Sequence, residues 1–330
     1  MDRCDLSIVI VNWNTRQILR NCLESIPVGI SRFSWEVIVV DNGSTDGSPA
    51  MVQSEFPRVK LIPNERNLGF AAANNIGIRR SQGRFVALIN SDVVLLPGSF
   101  DRLLEQMELH PEVGIIGPKI LWPDKTLQNS CRKFPSLWNH FCAVTGLRLL
   151  LPRSGFFSGE HMRYFAHDRA CLVDYLVGCF LVVRHSAINE VGLMDERFFI
   201  YAEEVDWCRR FWNAKWQIRF FPDAQAIHVG RGSSSSEPVR FALEQERAVL
   251  QYWAKHHSSV AVACLYSLRL FQQVAGLLMR LILYLAQPKR RQQRGLDVMT
   301  HLSCLRKLLG LGLEFSKGTL GRTTCPSGQS

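Results

Sequence analysis

One apolar run constrains the fold of this chain more than any other: Phe85–Ile89, FVALI, followed at once by Asn90-Ser91-Asp92. Its length and β-rich composition are typical of a strand buried on both faces of a parallel sheet. A carboxylate at the carboxyl end of such a strand is costly unless it faces a cleft or a cation, and ligands of open α/β sheets bind at that end. Asp92 is therefore a candidate metal-bound residue facing a diphosphate. Taken alone, the tripeptide favours a simple polar turn, so the rest of the chain has to decide.

Strand and helix patterns alternate through the first part of the chain. Further buried strands are predicted at Leu6–Val11, Trp35–Val40, Val59–Ile62 and Val113–Ile116. Helices are predicted after Thr15, which can cap the first of them, and over 70–80 and 100–108. This alternation predicts an α/β fold with a mostly parallel central sheet flanked by helices.

Three of these strands end in polar residues, at Asn12–Asn14, Asp41–Asp46 and Asn90–Asp92. Because parallel strands present their carboxyl ends at one edge, the three segments are expected to meet around a ligand cleft. The chain has neither a G-x-G-x-x-G after the first strand nor a G-x-x-x-x-G-K-[ST] motif. The sequence therefore gives no support to a dinucleotide-dependent dehydrogenase or a P-loop NTPase.

The densest acidic cluster lies in MDERFFIYAEEVDWC, residues 194–208. From Glu203 the spacing is helical, which brings Glu203 and Asp206 to one side with Glu204 about 100° round. Carboxylates beside so many aromatic rings can have a raised pKa suited to proton transfer. The alternative is ordinary stabilisation at a helix N-terminus, with Arg209 and Arg210 as partners, and this is preferred for Asp206.

A further strand is predicted at Trp216–Phe221. After Pro222-Asp223 comes an apolar run that ends at His228, followed by the polar loop Gly230–Ser236. The loop could close over a phosphate, whereas a lone His is more often structural than a ligand. Between this strand and the first half lies a stretch of prolines and aromatic residues, 118–175. An acceptor-handling insertion over the cleft and a plain connector account for it equally well.

Most of the net charge of +10 belongs to the C-terminal part, since residues 231–330 contain 14 Lys and Arg against 5 Asp and Glu. There the apolar stretch Val260–Ala286, with one narrow polar stripe, precedes the basic cluster Lys289–Arg294. This pattern favours a helix in the interface of an anionic membrane, and a helix packed on the catalytic domain or a partner is the alternative. The excess charge is not spread over the sheet, so nucleic acid is not an expected partner.

The ten cysteines form no C-x-x-C pair, and the N-terminus shows no signal-peptide pattern. These features predict buried thiols in a reducing cytoplasm.

Six segments in order resemble the family 2 glycosyltransferases, and most closely their rhamnosyltransferase-like branch. They are SIVIVNWN, VIVVDNGSTDGS, NERNLGFAAANNIGI, FVALINSDVVLLPG, VGLMDERFFIYAEEVDWCRR and AIHVGRGSS. The resemblance covers roughly Leu6–Ser236 and implies a GT-A-type nucleotide-diphospho-sugar transferase fold, a nucleotide-diphosphate sugar donor, Mg²⁺ or Mn²⁺, and inversion at the anomeric carbon.

The resemblance also assigns roles to individual residues. Asp92 matches the last Asp of the family's D-x-D motif and would bind the metal together with His228, while Asn90 stands where many members have Asp. Glu204 matches the general base of the family, beside Glu203. The donor-contacting positions implied are Asn12, Asn14, Asp41, Asn42, Asn67, Gly69, Asn90 and Ser91.

The expected function is transfer of a sugar, with rhamnose as a candidate, to a glycan or polyprenyl-linked acceptor in bacterial cell-envelope polysaccharide synthesis. The alternative is a sugar-nucleotide-binding scaffold without activity. The expected location is the cytoplasm, peripherally attached to the inner face of the membrane. We predict a catalytic domain at 1–236, containing the 118–175 insertion, a helical basic extension at 237–318 and a disordered tail at 319–330.

Overall fold

The computed structural model describes residues 4–230, 238–286, 298–299 and 302–310. The described strands are β1 Leu6–Asn12, β2 Trp35–Asp41, β3 Lys60–Pro63, β4 Phe85–Asn90, β5 Val93–Leu95, β6 Val113–Leu121, β7 Leu127–Gln128, β8 Cys131–Arg132, β9 Cys171–Leu172, β10 Tyr175–Leu176, β11 Phe180–Arg184 and β12 Gln217–His228. The α-helices are α1 Arg16–Gly29, α2 Ser48–Glu55, α3 Phe70–Arg80, α4 Ser99–Leu109, α5 Leu137–Val144, α6 Leu147–Leu150, α7 His185–Val191, α8 Glu203–Asn213, α9 Pro238–His256 and α10 Ser259–Ala286.

One large mixed sheet organises the protein, with strand order β3-β2-β1-β4-β11-β6-β12-β5. The pairs β1–β2, β1–β4, β2–β3 and β6–β12 are parallel, whereas β11 runs antiparallel to both β4 and β6. Alternate residues of the central strands enter separate apolar layers, with Val86 and Leu88 on one face and Ala87 and Ile89 on the other. The predicted mostly parallel sheet flanked by helices is confirmed.

The carboxyl ends of β1, β2 and β4 lie side by side. Asn12 pairs in register with Asp41, and Val11 pairs with Asn90. The polar ends of these strands therefore meet at one edge of the sheet, as the sequence predicts.

Several predicted boundaries are wrong for local reasons. The strand predicted to end at Phe221 continues as β12 to His228, because the register shift between Phe221 and Gln225 lets Pro222 bulge out of the ladder. Thr15 does not cap α1 with its side chain. Its hydroxyl instead donates to Asn12 Oδ1 at 2.6 Å, at the edge of the sheet.

The 118–175 segment begins inside β6 and continues through β7, β8, α5, α6 and β9. The next described helix after β12 is α9. It buries Tyr252 and Trp253 in the same apolar layer as Val86 and Leu88. Within the described ranges α10 is long and apolar enough to cross a membrane by length and composition, and 17% of its most apolar window is buried. The predicted division into a catalytic domain and an extension stays a prediction.

Some predicted features lie outside the described residues. They are residues 231–236 of the polar loop, the basic cluster at 289–294, residues 287–297 and 311–318 of the predicted extension, and the tail at 319–330.

Candidate active site

A cleft of about 210 Å³ opens at the shared carboxyl edge of β1, β2 and β4. Its walls come from the ends of these strands, the start of α3, the turn before α8, the end of β12 and α9. The lining residues are Val11, Trp13, Asn42, Asn67, Gly69, Phe70, Asn90, Ser91, Asp92, Phe199, Ile200, Tyr201, His228 and Phe241. The cleft is where the sequence predicts it.

The two residues predicted as metal ligands, Asp92 and His228, lie against each other in this cleft. Asp92 Oδ1 and His228 Nε2 are 3.1 Å apart, and both side chains are largely buried. The contact follows from the sheet, because β5 pairs antiparallel with β12 and brings His228 opposite Val93. The backbone N–H of Val229 also donates to the Asp92 carbonyl at 3.0 Å. Residues 136 positions apart in sequence are thereby fixed in one place.

The other nitrogen of His228 sets its orientation. Nδ1 lies 2.8 Å from Gln128 Oε1, which can only accept a hydrogen bond. A proton on Nδ1 would be donated to Gln128, and the Nε2 side of the ring faces the Asp92 carboxylate. Gln128 is a partner that holds His228 in the orientation needed for a cation ligand.

The donor set of the cleft fits a divalent cation. Asn90 Oδ1 is buried, belongs to a residue that lines the cleft and has no hydrogen-bond partner among the residues that the structure describes, so it offers a third donor beside the Asp92 carboxylate and the His228 imidazole. Asp92 Oδ1 and His228 Nε2 are 3.1 Å apart, close enough for both residues to bind one divalent ion. Within the described residues no group of three or more His, Cys, Asp and Glu could hold a metal, so donor phosphate oxygens would have to complete the shell.

Asn42, Asn67 and Gly69 form one connected wall. Asn42 Nδ2 donates to Asn67 Oδ1 and to the Gly69 carbonyl, both at 3.1 Å. Gly69 has φ +91°, and a Cβ there would lie 2.5 Å from the Phe199 carbonyl oxygen. Only glycine fits that backbone, so this wall is held closely against the segment before α8.

Asn12, Asn14 and Asp41 lie beneath the cleft and are not among its lining residues. Asn12 Nδ2 donates to Asp41 Oδ1 at 2.8 Å, and Asp41 Oδ2 accepts from the Ser44 N–H at 2.8 Å. Asn14 Oδ1 accepts from the backbone N–H of Thr45, also at 2.8 Å. These bonds stabilise the two strand ends against each other. The contact of Asp41 with the donor stays a prediction.

Aromatic side chains missed by the sequence reasoning complete the cleft. Trp13 and Phe241 lie with ring centroids 6.4 Å apart, and Tyr201 packs against the same Phe241 at 6.4 Å. Trp13 stands inside the polar end of β1 and could have been noticed there. Phe241 carries no such signal, because its place depends on how α9 packs.

Glu203 and Glu204 begin α8, directly after Tyr201 and Ala202, whose φ values of 72° and 64° form a tight left-handed turn. The side chain of Glu204 lies against Gly178, where an added Cβ would be 3.4 Å from Glu204 Cβ. Neither glutamate is among the residues that line the cleft, although Tyr201 in the preceding turn is.

Both glutamates are short of polar partners. Glu203 Oε2 and Glu204 Oε2 are buried and accept no hydrogen bond from the described part of the chain. Burial, followed by the negative charge of Glu204, raises the pKa of Glu203 well above its usual value. Burial also raises the pKa of Glu204, with backbone N–H groups and the Arg132 charge opposing the shift. Burial thus raises the pKa of both carboxyls, a setting in which a carboxylate can act as a base.

The third acidic residue of the cluster, Asp206, has a structural setting. It is fully buried and contacts Arg210, Lys255 and His256 at 3.0, 2.7 and 2.7 Å. These contacts connect α8 to α9, in keeping with the structural interpretation preferred for Asp206.

The fold is that of the GT-A glycosyltransferases. A mannosyltransferase from Pyrobaculum calidifontis, solved with GDP-Man and Mn²⁺, superposes with a TM-score of 0.51 over 98% of this chain and 81% of that one, at 15% identity. GalNAc-T7, solved with UDP, GalNAc and Mn²⁺, gives 0.50 over 77% and 48%, at 13% identity.

The chain belongs to glycosyl transferase family 2, whose sequence model matches residues 7–172. It is 31% identical over 269 residues to the N-acetylglucosaminyl-diphospho-decaprenol L-rhamnosyltransferase of Mycobacterium tuberculosis, a match that spans 77% of this chain and 85% of that enzyme. It is 27% identical over 230 residues to the low-salt glycan biosynthesis hexosyltransferase Agl10 of Haloferax volcanii, spanning 68% and 67%. The resemblance to the rhamnosyltransferase-like branch is confirmed, and the chain is a glycosyltransferase of glycan or polysaccharide biosynthesis.

Proposed function

We propose that this protein is a metal-dependent, inverting glycosyltransferase that moves a sugar from a nucleotide-diphosphate donor to a hydroxyl of a polyprenyl-diphosphate-linked glycan. L-rhamnose is the first candidate sugar, and bacterial envelope polysaccharide synthesis is the proposed setting. The observation that supports this most directly is the Asp92–His228 contact at 3.1 Å in a cleft at the carboxyl edge of the sheet. The name of the mycobacterial relative supports the acceptor class.

The cleft residues have distinct parts in donor binding. Trp13, Tyr201 and Phe241 present rings to the cleft, which suits a nucleobase or sugar face. Asn42, Asn67 and Gly69 form another wall of the cleft. Asp92 and His228, with Asn90 Oδ1, would hold Mg²⁺ or Mn²⁺, and the bound ion would neutralise charge developing on the leaving diphosphate.

One displacement accounts for transfer with inversion. Glu204 takes the proton of the acceptor hydroxyl, whose oxygen forms a bond to the anomeric carbon as the bond from that carbon to the donor phosphate oxygen breaks. The nucleoside diphosphate leaves with the bonding electrons. One carboxylate base is enough for a single displacement of this kind.

A thermal-shift screen tests donor binding. We expect one of the dTDP-, UDP- or GDP-sugars to raise the melting temperature only when Mg²⁺ or Mn²⁺ is present, because binding to the folded state stabilises it. A ligand at about 100 times its Kd adds about 2.7 kcal/mol. The substitution Asp92→Asn should remove the metal-dependent part of the shift.

The control for that screen is Asp124→Asn, an exposed aspartate outside the cleft. The role of Asp92 would be contradicted if both variants lost the metal-dependent thermal shift equally. It would also be contradicted if the donor raised the melting temperature by the same amount with and without the metal. The alternative function is a scaffold that binds sugar nucleotides without activity. Release of free sugar from the bound donor by the purified protein would exclude that scaffold.

We also propose that α10 attaches the protein peripherally to the inner face of the cell membrane. Leu278, Ile282 and Leu285 on α10 are 57%, 60% and 69% exposed, so the helix presents an apolar surface. Burying such side chains in the interface is favourable by about 1.5–3 kcal/mol each. Packing of this surface on a partner protein is the alternative.

Co-sedimentation of the full chain with anionic vesicles tests the attachment. We expect the triple substitution of Leu278, Ile282 and Leu285 by Glu to weaken vesicle binding at least about tenfold, because three apolar contacts are lost and three negative charges gained. Leu109→Glu is the matched control, since Leu109 is 69% exposed at the end of α4. If the wild-type protein stays in the supernatant after the vesicles have been sedimented, the proposed attachment is wrong.

A further inference from the structure

A second cavity, of about 460 Å³, adjoins the donor cleft. His228 belongs to the walls of both, so the two spaces are neighbours. The far wall of the second cavity comes from the 118–175 segment, which contributes Ser130, Arg132, His161 and Arg163. None of these four residues lines the donor cleft.

The second cavity is cationic. Within residues 4–230 and 238–286 no carboxylate forms an ion pair with Arg132 or Arg163. Burial and the charges of Arg132, Arg148 and Arg163 together lower the pKa of the neighbouring His161 to about 4. The adjacent Glu160 is half-buried, and burial raises the pKa of its carboxyl against the opposing arginine charges. Two guanidinium groups are therefore available to an anion.

A polar atom without a partner lies in the same wall. Ser130 is 3% exposed, and its Oγ forms no hydrogen bond within the described structure. A buried hydroxyl without a partner is costly. An oxygen-rich ligand held by the two arginines would satisfy it.

The second cavity lies next to the proposed base. Val177 and Cys179 line the cavity, and Gly178 between them lies against Glu204, where an added Cβ would be 3.4 Å from Glu204 Cβ. His228 lines the cavity as well. A ligand in the cavity is therefore near both Glu204 and His228.

We propose that this second cavity binds the diphosphate group of the acceptor, through Arg132, Arg163 and Ser130. Arginine forks match paired phosphate oxygens in geometry as well as charge. An acceptor sugar attached to that diphosphate would then extend towards Glu204 and present its hydroxyl there. The inference rests on the proposed function for the acceptor class, but the binding site can be tested without sugar transfer.

Calorimetric titration of the full chain with farnesyl diphosphate tests the site. We expect Arg163→Gln and Arg132→Gln each to weaken binding about tenfold, because each removes one charge-assisted contact to the diphosphate. Farnesol, which lacks the diphosphate, should bind equally weakly to all forms. Arg153→Gln is the control, an exposed arginine of the same segment that does not line the cavity.

The same titrations with UDP and dTDP identify which diphosphate the cavity holds. Unchanged nucleoside diphosphate affinity in both arginine variants supports the acceptor site. If the variants bind UDP or dTDP more weakly but farnesyl diphosphate as before, the cavity belongs to the donor and the proposal is overturned. The proposal is also overturned if both variants bind farnesyl diphosphate as tightly as the wild-type protein does. Absence of sugar transfer together with arginine-dependent farnesyl diphosphate binding would refute the proposed function and leave this site standing.

Discussion

Replacement of Glu204 by Gln is expected to lower the rate of sugar transfer by about 10²–10⁴-fold, the usual effect of losing a general base. Gln has nearly the shape of Glu but cannot take the proton of the acceptor hydroxyl. Donor binding should survive, because Glu204 lies against Gly178 and is not part of the cleft lining. The measurement is kcat under saturating donor, together with the donor-induced thermal shift.

Glu24→Gln is the matched control for this experiment, an exposed glutamate on α1. It should leave both the rate and the donor shift unchanged. Normal turnover in Glu204→Gln would remove Glu204 from the role of base.

The pH profile supplies a second readout of Glu204. Burial raises the pKa of its carboxyl, and a base works only when ionised. The rate of the wild-type enzyme should therefore fall as the pH is lowered through this raised pKa. In Glu204→Gln the residual rate should lose that dependence.

Replacement of Asp206 by Ala is expected to lower the free energy of unfolding by about 3–5 kcal/mol, the cost of breaking a buried ion pair from one side. The fully buried carboxylate contacts Arg210, Lys255 and His256. Its removal leaves Arg210 and His256 without their carboxylate at the α8–α9 contact, while Lys255 keeps Asp195 at 2.7 Å. Denaturant unfolding at neutral pH measures the loss.

The effect of Asp206 should depend on pH in a defined direction. Hydrogen bonds from His256 and Lys255 lower its pKa below the ordinary 3.8 in spite of burial. A carboxyl whose pKa is lower in the folded than in the unfolded state stabilises the fold above the unfolded value and loses that effect as the pH falls. The gap between wild type and Asp206→Ala should therefore narrow below about pH 4.

Glu55→Ala provides the comparison for Asp206→Ala. Glu55 pairs with Arg20 at 2.6 Å, but its side chain is 39% exposed. Exposed ion pairs contribute little because water screens them. If Glu55→Ala lowers the free energy of unfolding as much as Asp206→Ala does, burial is not the reason why the Asp206 contacts stabilise the fold.

The edge of the sheet that carries the site could be predicted from local patterns. Buried apolar runs that end in Asn12, Asp41 and Asp92 identify both the strands and the direction in which they open. The pairing of Asp92 with His228 was available only through the family resemblance, since the two are far apart in sequence. In the structure it follows from the antiparallel contact of β5 with β12.

Other parts of the site had no local signal. Gln128 reaches His228 from the short strand β7, and the orientation of such a connection is set by packing, not by periodicity. Phe241 belongs to a helix whose apolar pattern predicts burial but not the surface that it covers. The residues around the cavity of Arg132 and Arg163 could not be predicted to lie together, because the sequence around each of them is that of an ordinary loop.

The contact between α8 and α9 limits how far an engineer can shorten this enzyme. A form ending at residue 236 would lose Lys255 and His256, which hold Asp206 two positions after Glu204. It would also lose Phe241 and open one wall of the donor cleft. A minimal active version for solubility screening or immobilisation therefore has to extend through His256, with any trimming begun beyond that residue.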